Sequence, residues 1–191
     1  MGGSEVGHFT IGAGQIVWQS LEEINIAIKN KSFEKNKAII KAFKNVKKKN
    51  SALHLLGMIS DQGVHSHINH LFALIRLAKK NGIKKVYIHA ITDGRDVPER
   101  SGKKFLKMLQ SKIKKIGLGE IVTIVGRYYA MDRDNNWDRT NKAFDLYTKG
   151  KGIIESNPIE SLEHQYAKGV VSDYYIKPII LSKNGIIRNE D

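Results

Sequence analysis

At 191 residues the chain can form one α/β domain with a full core, or one domain plus a fragment of another. Hydrophobic content of 41%, charged content of 27% and zero cysteines describe a globular protein without disulfides or thiolate metal sites, and suit the cytoplasm. No stretch reaches the length of an uncharged membrane span. Lys+Arg 32 against Asp+Glu 19 gives +13, which invites a nucleic-acid reading.

In chain order, Met1-Gly2-Gly3-Ser4-Glu5-Val6-Gly7-His8 is glycine-dense, and Ile11-Gly12-Ala13-Gly14 follows. No strand precedes these residues to make a strand–turn–helix phosphate loop. A glycine-rich opening with an embedded serine reads as the inside of something larger, with a segment missing upstream. Val17, Leu21, Ile24 and Ile28 then form one helical stripe, and Ile39, Ile40, Phe43 and Val46 a second, broken at Asn50-Ser51. The apolar run at residues 53–59 predicts the first strand. Ile68, Leu71, Phe72, Ile75 and Ala78 define a helix stopped at Asn81-Gly82.

Residues 86–91 predict the second strand, followed by a helix through Phe105, Leu109, Ile113 and Ile116 that ends at Gly117. A third strand at 121–125 precedes a helix carrying Trp137, Phe144 and Tyr147. Asn157 as cap, Pro158 at the first position, Glu160 completing a capping box and Gly169 past the end mark another helix. Residues 174–181 read as a strand, with Pro178 favouring an edge position. Strands alternating with helices predict an α/β fold with a largely parallel sheet flanked by helices.

The lysine surplus falls on expected outer helix faces, as in Lys41, Lys44, Lys47, Lys48 and Lys49, or Lys103, Lys104, Lys107, Lys112, Lys114 and Lys115. Such runs are usually solvated, and no nucleic-acid module pattern accompanies them, so nucleic-acid binding is the weaker alternative. The surplus still raises the on-rate of an anionic substrate.

Three polar loops follow the three main strands: Asp61-Gln62-Gly63-Val64-His65-Ser66-His67, Asp93-Gly94-Arg95-Asp96, and the stretch from Gly126 through Asp134. In open α/β sheets the carboxyl ends of the strands line the ligand crevice. One rim would therefore gather His65, Arg95, Asp96, Arg127 and Arg133. Any single arginine reads more simply as a surface ion-pair partner, but together their planar, permanently charged forks match a small phosphorylated acid. His65 is either a loop hydrogen-bonding residue or a proton donor to a departing alkoxide, since an imidazole titrates near neutrality. A metal site from His65, His67 and His70 is the weaker reading of that cluster. Asp96 is either an ion-pair partner or, in a phosphate pocket, a general base or hydroxyl ligand. Asp61 and Asp93 read as turn formers or caps, and Tyr128, Tyr129 and Trp137 as packing residues. Ser4 needs a base or metal to act as a nucleophile, and the chain shows no metal cluster that could help it.

At these residues the chain resembles a known family. The segment from Met1 to His8 is similar to the Met-Gly-Asn-Ser-Glu-Val-Gly-His signature of the 2,3-bisphosphoglycerate-independent phosphoglycerate mutases. The similarity continues through Ile11 to Gly14, the three loops, and Trp137-Asp138-Arg139, spanning essentially the whole chain. It implies interconversion of 3-phosphoglycerate and 2-phosphoglycerate in glycolysis and gluconeogenesis through a phosphoserine intermediate. It also implies two manganese or similar divalent ions in an alkaline-phosphatase-like domain joined to a transferase domain that holds substrate. By this resemblance Ser4 is the nucleophile and a metal ligand. His65, Arg95, Asp96, Arg127 and Arg133 are substrate-site residues, with Asp96 handling the glycerate hydroxyl and His65 near the phosphate.

The resemblance also implies what is missing. The family's amino-terminal metal-binding aspartate would lie before Met1, and its Asp/His metal clusters, further arginines and a lysine beyond Asp191. Residues 1–18 are then expected to be a phosphatase-domain fragment, poorly anchored alone, and 19–191 the transferase domain, truncated at its C-terminus. Such a chain would bind no metal stably and would have little mutase activity. The alternative is a non-catalytic phosphoglycerate-binding fragment. Family members are usually monomeric, and a complementing phosphatase-domain chain is conceivable. Two positions depart from the pattern: Gly3 replaces asparagine, and Gln62 replaces a glycine whose turn it would strain if its φ were positive.

Overall fold

The computed structural model describes residues 4–189 and Asp191, with Ser4 and Glu5 described by backbone alone. The Gly3 departure and the side chain of Ser4 therefore lie outside the described residues. Three apolar runs make the centre of the fold: strands β1 (Leu53–Met58), β2 (Val86–Thr92) and β3 (Glu120–Gly126). They pair in parallel, with Leu55 opposite Ile88 and Ile88 opposite Ile121. Continuous Val/Ile/Leu runs suit strands covered on both faces. Two-residue strands β4 (Ile153–Ile154) and β5 (Ile179–Ile180) complete a sheet of order β1-β2-β3-β5-β4, in which only the β3–β5 pair is antiparallel.

The helices are α1 (Ser4–Ala13), α2 (Ser20–Lys29), α3 (Lys37–Lys49), α4 (Ile68–Lys80), α5 (Gly102–Ile116), the single turn α6 (Arg127–Ala130), α7 (Trp137–Lys149) and α8 (Pro158–Ala167). Their ends follow local chemistry. Asn36 Oδ1 accepts from the backbone N–H groups of Ala38 and Ile39 at the start of α3, and Asn50 ends that helix in the left-handed region. Asn157 Oδ1 caps α8 by accepting from Ile159 N and Glu160 N, and Gly169 follows its end at φ +88°.

Side chains alternate across the sheet. On one face Ile88, Ala90 and Ile124 pack with Phe72 and Ile75 of α4, Phe105, Leu106 and Leu109 of α5, and Leu162 of α8. Phe43 and Val46 of α3 extend this layer onto Leu53 and Val86. On the other face Met58, Ile91, Val125 and Ile180 meet Leu146 of α7. Fully buried Leu106, Leu109 and Leu146 each contribute roughly 1.5–3 kcal/mol over an exposed leucine.

That second face also carries a polar chain across three strands. His54 Nε2 lies 3.1 Å from Asp191 Oδ2, His54 Nδ1 lies 2.9 Å from His89 Nε2, and His89 Nδ1 lies 2.9 Å from Thr123 Oγ1. An ionised Asp191 can only accept, so each imidazole carries its proton on Nε2 and Thr123 donates to His89. Burial holds both histidines below their ordinary range, His89 at about 4.

Several expectations change. The stretch 174–181 is not one edge strand: a 3-10 turn spans Asp173–Tyr175, and β5 sits between β3 and β4 rather than at an edge. Ser172 Oγ accepts from Tyr174 N, and the Thr92 hydroxyl donates to Asp173 O, so local bonds bend the chain before pairing begins. The first helical stripe begins at Ser20, leaving Val17 outside. Residues 4–13 form a helix despite their glycines, and its Phe9 and Ile11 are exposed, as are Ile16 and Trp18 after it. Trp137 and Phe144 are also exposed rather than packed.

Candidate anion-binding site

The site is assembled by three turns at the carboxyl ends of β1, β2 and β3. After β1, Ser66 Oγ donates to Met58 O at 2.5 Å and Ile68 N donates to Ser60 O at 2.8 Å, folding the loop back on its strand. Gly63 takes the left-handed φ of +75° in this loop, whereas Gln62 does not, so the departure at Gln62 introduces no backbone strain. After β2, Asp93 Oδ1 accepts from Arg95 N at 3.2 Å and Asp96 N at 3.1 Å, the turn-forming role expected of it. Gly126 ends β3 where the Tyr174 carbonyl comes so close that a Cβ would clash, which brings residues 172–176 over the rim.

These turns converge. His65, Arg95, Asp96, Arg127 and Arg133 line one cleft of about 380 Å³, walled by Tyr128 and Tyr174 and completed by Asp132 and Arg139. Within it the arginines divide into two kinds. Arg127 is buried, and its NH1 bridges Asp93 Oδ1 at 2.6 Å and Asp96 Oδ2 at 2.7 Å. Burial alone would raise the pKa of Asp93, but backbone N–H groups of Asp96 and Arg95 and the Arg127 guanidinium outweigh it and hold it low. Arg95 and Arg133 are exposed and, among the described residues, have no carboxylate partner. His65 Nε2 stands 3.8 Å from Asp96 Oδ2, so an imidazole, an oriented carboxylate and two unpaired guanidinium groups share one space.

Chemically this arrangement suits a small polyanion bearing a hydroxyl. Unpaired guanidinium groups grip phosphate or carboxylate oxygens bidentately. Arg127 fixes the Asp96 carboxylate, which can then accept a proton or orient a hydroxyl.

The three neighbouring histidines have separate partners. His67 Nδ1 accepts from Asn69 N at the start of α4, His70 Nε2 pairs with Asn25 Oδ1 at 2.8 Å, and His65 faces Asp96. Among the described residues no three Asp, Glu or His side chains lie together as a metal site. The described donor set thus does not fit a divalent-ion centre. Asp61 lies 3.5 Å from Lys104 on the surface rather than in the cleft.

Sequence reasoning passed over Tyr128, Asp132 and Arg139. Tyr128 packs against the rings of Tyr129, Tyr174 and Tyr175 as expected and is also a cleft wall, with the Arg139 guanidinium 4.1 Å above its ring. Asp132 Oδ1 pairs with Arg139 NH1 at 3.4 Å. The signal available was density: six charged residues, Arg127, Asp132, Arg133, Asp134, Asp138 and Arg139, lie within residues 127–139.

Comparison with known proteins decides the lineage. Residues 24–191 match the family model described as BPG-independent PGAM N-terminus. The chain belongs to the BPG-independent phosphoglycerate mutase family. It is 48% identical over 185 residues to a 2,3-bisphosphoglycerate-independent phosphoglycerate mutase of Lachnoclostridium phytofermentans, covering 97% of this chain and 36% of that protein. Its fold matches a crystal structure of Leishmania mexicana phosphoglycerate mutase at low cobalt concentration, with a TM-score of 0.90 and 30% identity over 100% of this chain and 37% of that one. The chain thus spans little more than a third of the length of these mutases. Among the described residues no helix is long and apolar enough to cross a membrane.

Proposed function

We propose that this chain is the substrate-holding portion of a phosphoglycerate mutase, and that its cleft binds 3-phosphoglycerate and 2-phosphoglycerate. The observation that carries this reading is the convergence of His65, Arg95, Asp96, Arg127 and Arg133 on one cleft in a chain of this family. A cavity of about 380 Å³ is at the small end of ligand sites and suits a three-carbon phosphoester.

In the proposed chemistry, the Ser4 hydroxyl loses its proton to water and attacks phosphorus, a phosphoserine forms and the glycerate oxygen leaves with a proton from an acid such as His65. Glycerate turns in the cleft, and its other hydroxyl attacks the phosphoserine while giving its proton to a base, as the serine oxygen leaves and regains a proton from water. Asp96, held by Arg127, is the base, and Arg95 and Arg133 hold the carboxylate and phosphate while the molecule turns. Two manganese or similar ions would lower the barrier to phosphoryl transfer and activate the serine. The described residues offer no centre for them.

A family match that begins at residue 24 supports a boundary near residue 19, with residues 1–18 belonging to a phosphatase-like unit. We place the complete reaction in cytoplasmic glycolysis, with the remaining metal ligands supplied by sequence outside this chain or by a complementing chain. Two experiments test the reading. Calorimetry with 3-phosphoglycerate should give a binding isotherm for the wild type that Arg127→Ala abolishes; no heat in either would dispose of the cleft as a phosphoglycerate site. A coupled assay with manganese should show little 2-phosphoglycerate formation by the purified chain, and robust turnover would overturn the assignment of the metal ligands to other sequence.

A further inference from the structure

Arg133 is an exposed member of the cleft's cationic set and the least supported by its own bonds. Among the described residues it makes no hydrogen bond or ion pair. A long side chain in water loses rotamer entropy when a ligand fixes it, so its usefulness depends on how firmly its backbone is aimed. The residue before it supplies that aim.

The Asp132 side chain is only 3% exposed, although it lies at the cleft. Both oxygens are filled by the loop itself. Oδ2 accepts from Asp134 N at 3.2 Å and from Asn136 N at 2.8 Å. Oδ1 accepts from Asn136 Nδ2 at 2.8 Å and from Arg139 NH1 at 3.4 Å. Asn135 is left-handed at φ +62°, the turn that lets both amides reach one carboxylate. Arg139 is in turn held over the Tyr128 ring, tying the loop to the wall of the cleft. A carboxylate so enclosed is not presented to a ligand. Its bonds span residues 134–139, and Arg133 sits inside the ring they close.

We propose that Asp132 is a positioning residue that fixes Arg133 at the cleft, with Arg139 as its link to Tyr128. The proposal rests on the reading of the cleft as a phosphoglycerate site, which it deepens by naming what preorganises one of its anion grips. The competing view makes Asp132 only a support for the start of α7, which would lower stability without acting through Arg133.

The test combines a mutant cycle with a ligand-free measurement on the full chain. In calorimetry with 3-phosphoglycerate, Asp132→Asn and Arg133→Ala should each weaken binding by about tenfold, and the double variant should bind within about twofold of Arg133→Ala. Equal losses from Asp132→Asn in both backgrounds, or no loss in the wild-type background, would overturn the proposal. In ¹⁵N relaxation without ligand, the Arg133 amide should have an order parameter near about 0.85 in the wild type and below about 0.6 in Asp132→Asn, with β3 unchanged. An unchanged Arg133 amide overturns the proposal whatever calorimetry shows. Absence of heat from wild type with the expected relaxation change would instead sink the phosphoglycerate reading and leave the loop clamp standing. Asp132→Ala, a stronger disruption, should reproduce both effects; if it unfolds, the asparagine variant decides.

Discussion

Two of the places where the fold buries titratable groups are built on opposite principles. Beneath the cleft, Arg127 bridges Asp93 and Asp96 in a cluster that keeps its charges and opens onto a cavity. Across the sheet, His54, His89 and Thr123 form a hydrogen-bonded chain whose two imidazoles are neutral, with His89 fully buried. Buried charge is costly unless paired, and a protein that retains it next to a cavity gains recognition rather than stability. A neutral chain that satisfies its own donors and acceptors is a structural element. The contrast separates the part of the molecule proposed to meet ligand from the part that joins strands.

The sharpest way to break the comparison is to remove the pivot of the charged cluster. Arg127→Ala leaves Asp93 and Asp96 facing each other in a buried site, and should lower unfolding free energy by about 3–5 kcal/mol in urea titrations. A loss under about 1 kcal/mol would mean the cluster is more solvated than its burial indicates.

The histidine chain should respond to pH instead. His89 has a folded pKa of about 4 against an ordinary 6.5, so below pH 6.5 the unfolded chain binds a proton that the folded chain refuses. Its contribution is complete above pH 6.5 and is lost as pH falls toward 4, amounting to roughly 3 kcal/mol at 1.36 kcal/mol per unit. His89→Gln should flatten this part of a stability–pH profile; an unchanged slope would show that other groups cause it.

Smaller still is the effect of an unpaired cleft arginine. Arg95→Ala should reduce 3-phosphoglycerate affinity by about tenfold, near 1.4 kcal/mol, while changing stability by less than about 0.5 kcal/mol. That split between binding and folding is the reverse of the pattern expected at His89. Lys104→Ala, which removes a surface pair with Asp61, should alter neither by more than about 0.5 kcal/mol, as thermal and calorimetric titrations would show.

Much of this architecture is legible in the sequence, and the residues explain which parts. The three long strands stand out because they are continuous apolar runs, and helices α4 and α5 because Phe72 and Ile75, and Leu109 and Ile113, fall at helical spacing. The cleft residues could be grouped because parallel strands send their following loops to one rim. The two-residue strands β4 and β5 carry too few residues for a periodic signal. The stretch 174–181 misleads because tertiary bonds from Ser172 and Thr92 override its strand-like composition. Pairings across long separations, such as His54 with His89 or Arg127 with Asp93, leave no local trace. Nor does the sequence tell Arg127, tied beneath the cleft, from Arg133, aimed into it.

The most direct test of the central claim is a ¹H–¹⁵N spectrum of the chain titrated with 3-phosphoglycerate. Saturable shifts should concentrate at residues 64–66, 94–96 and 127–134, and the amides of His54 and His89 should stay in place. Shifts absent from those loops, or spread evenly along the basic outer faces of α3 and α5, would contradict the account.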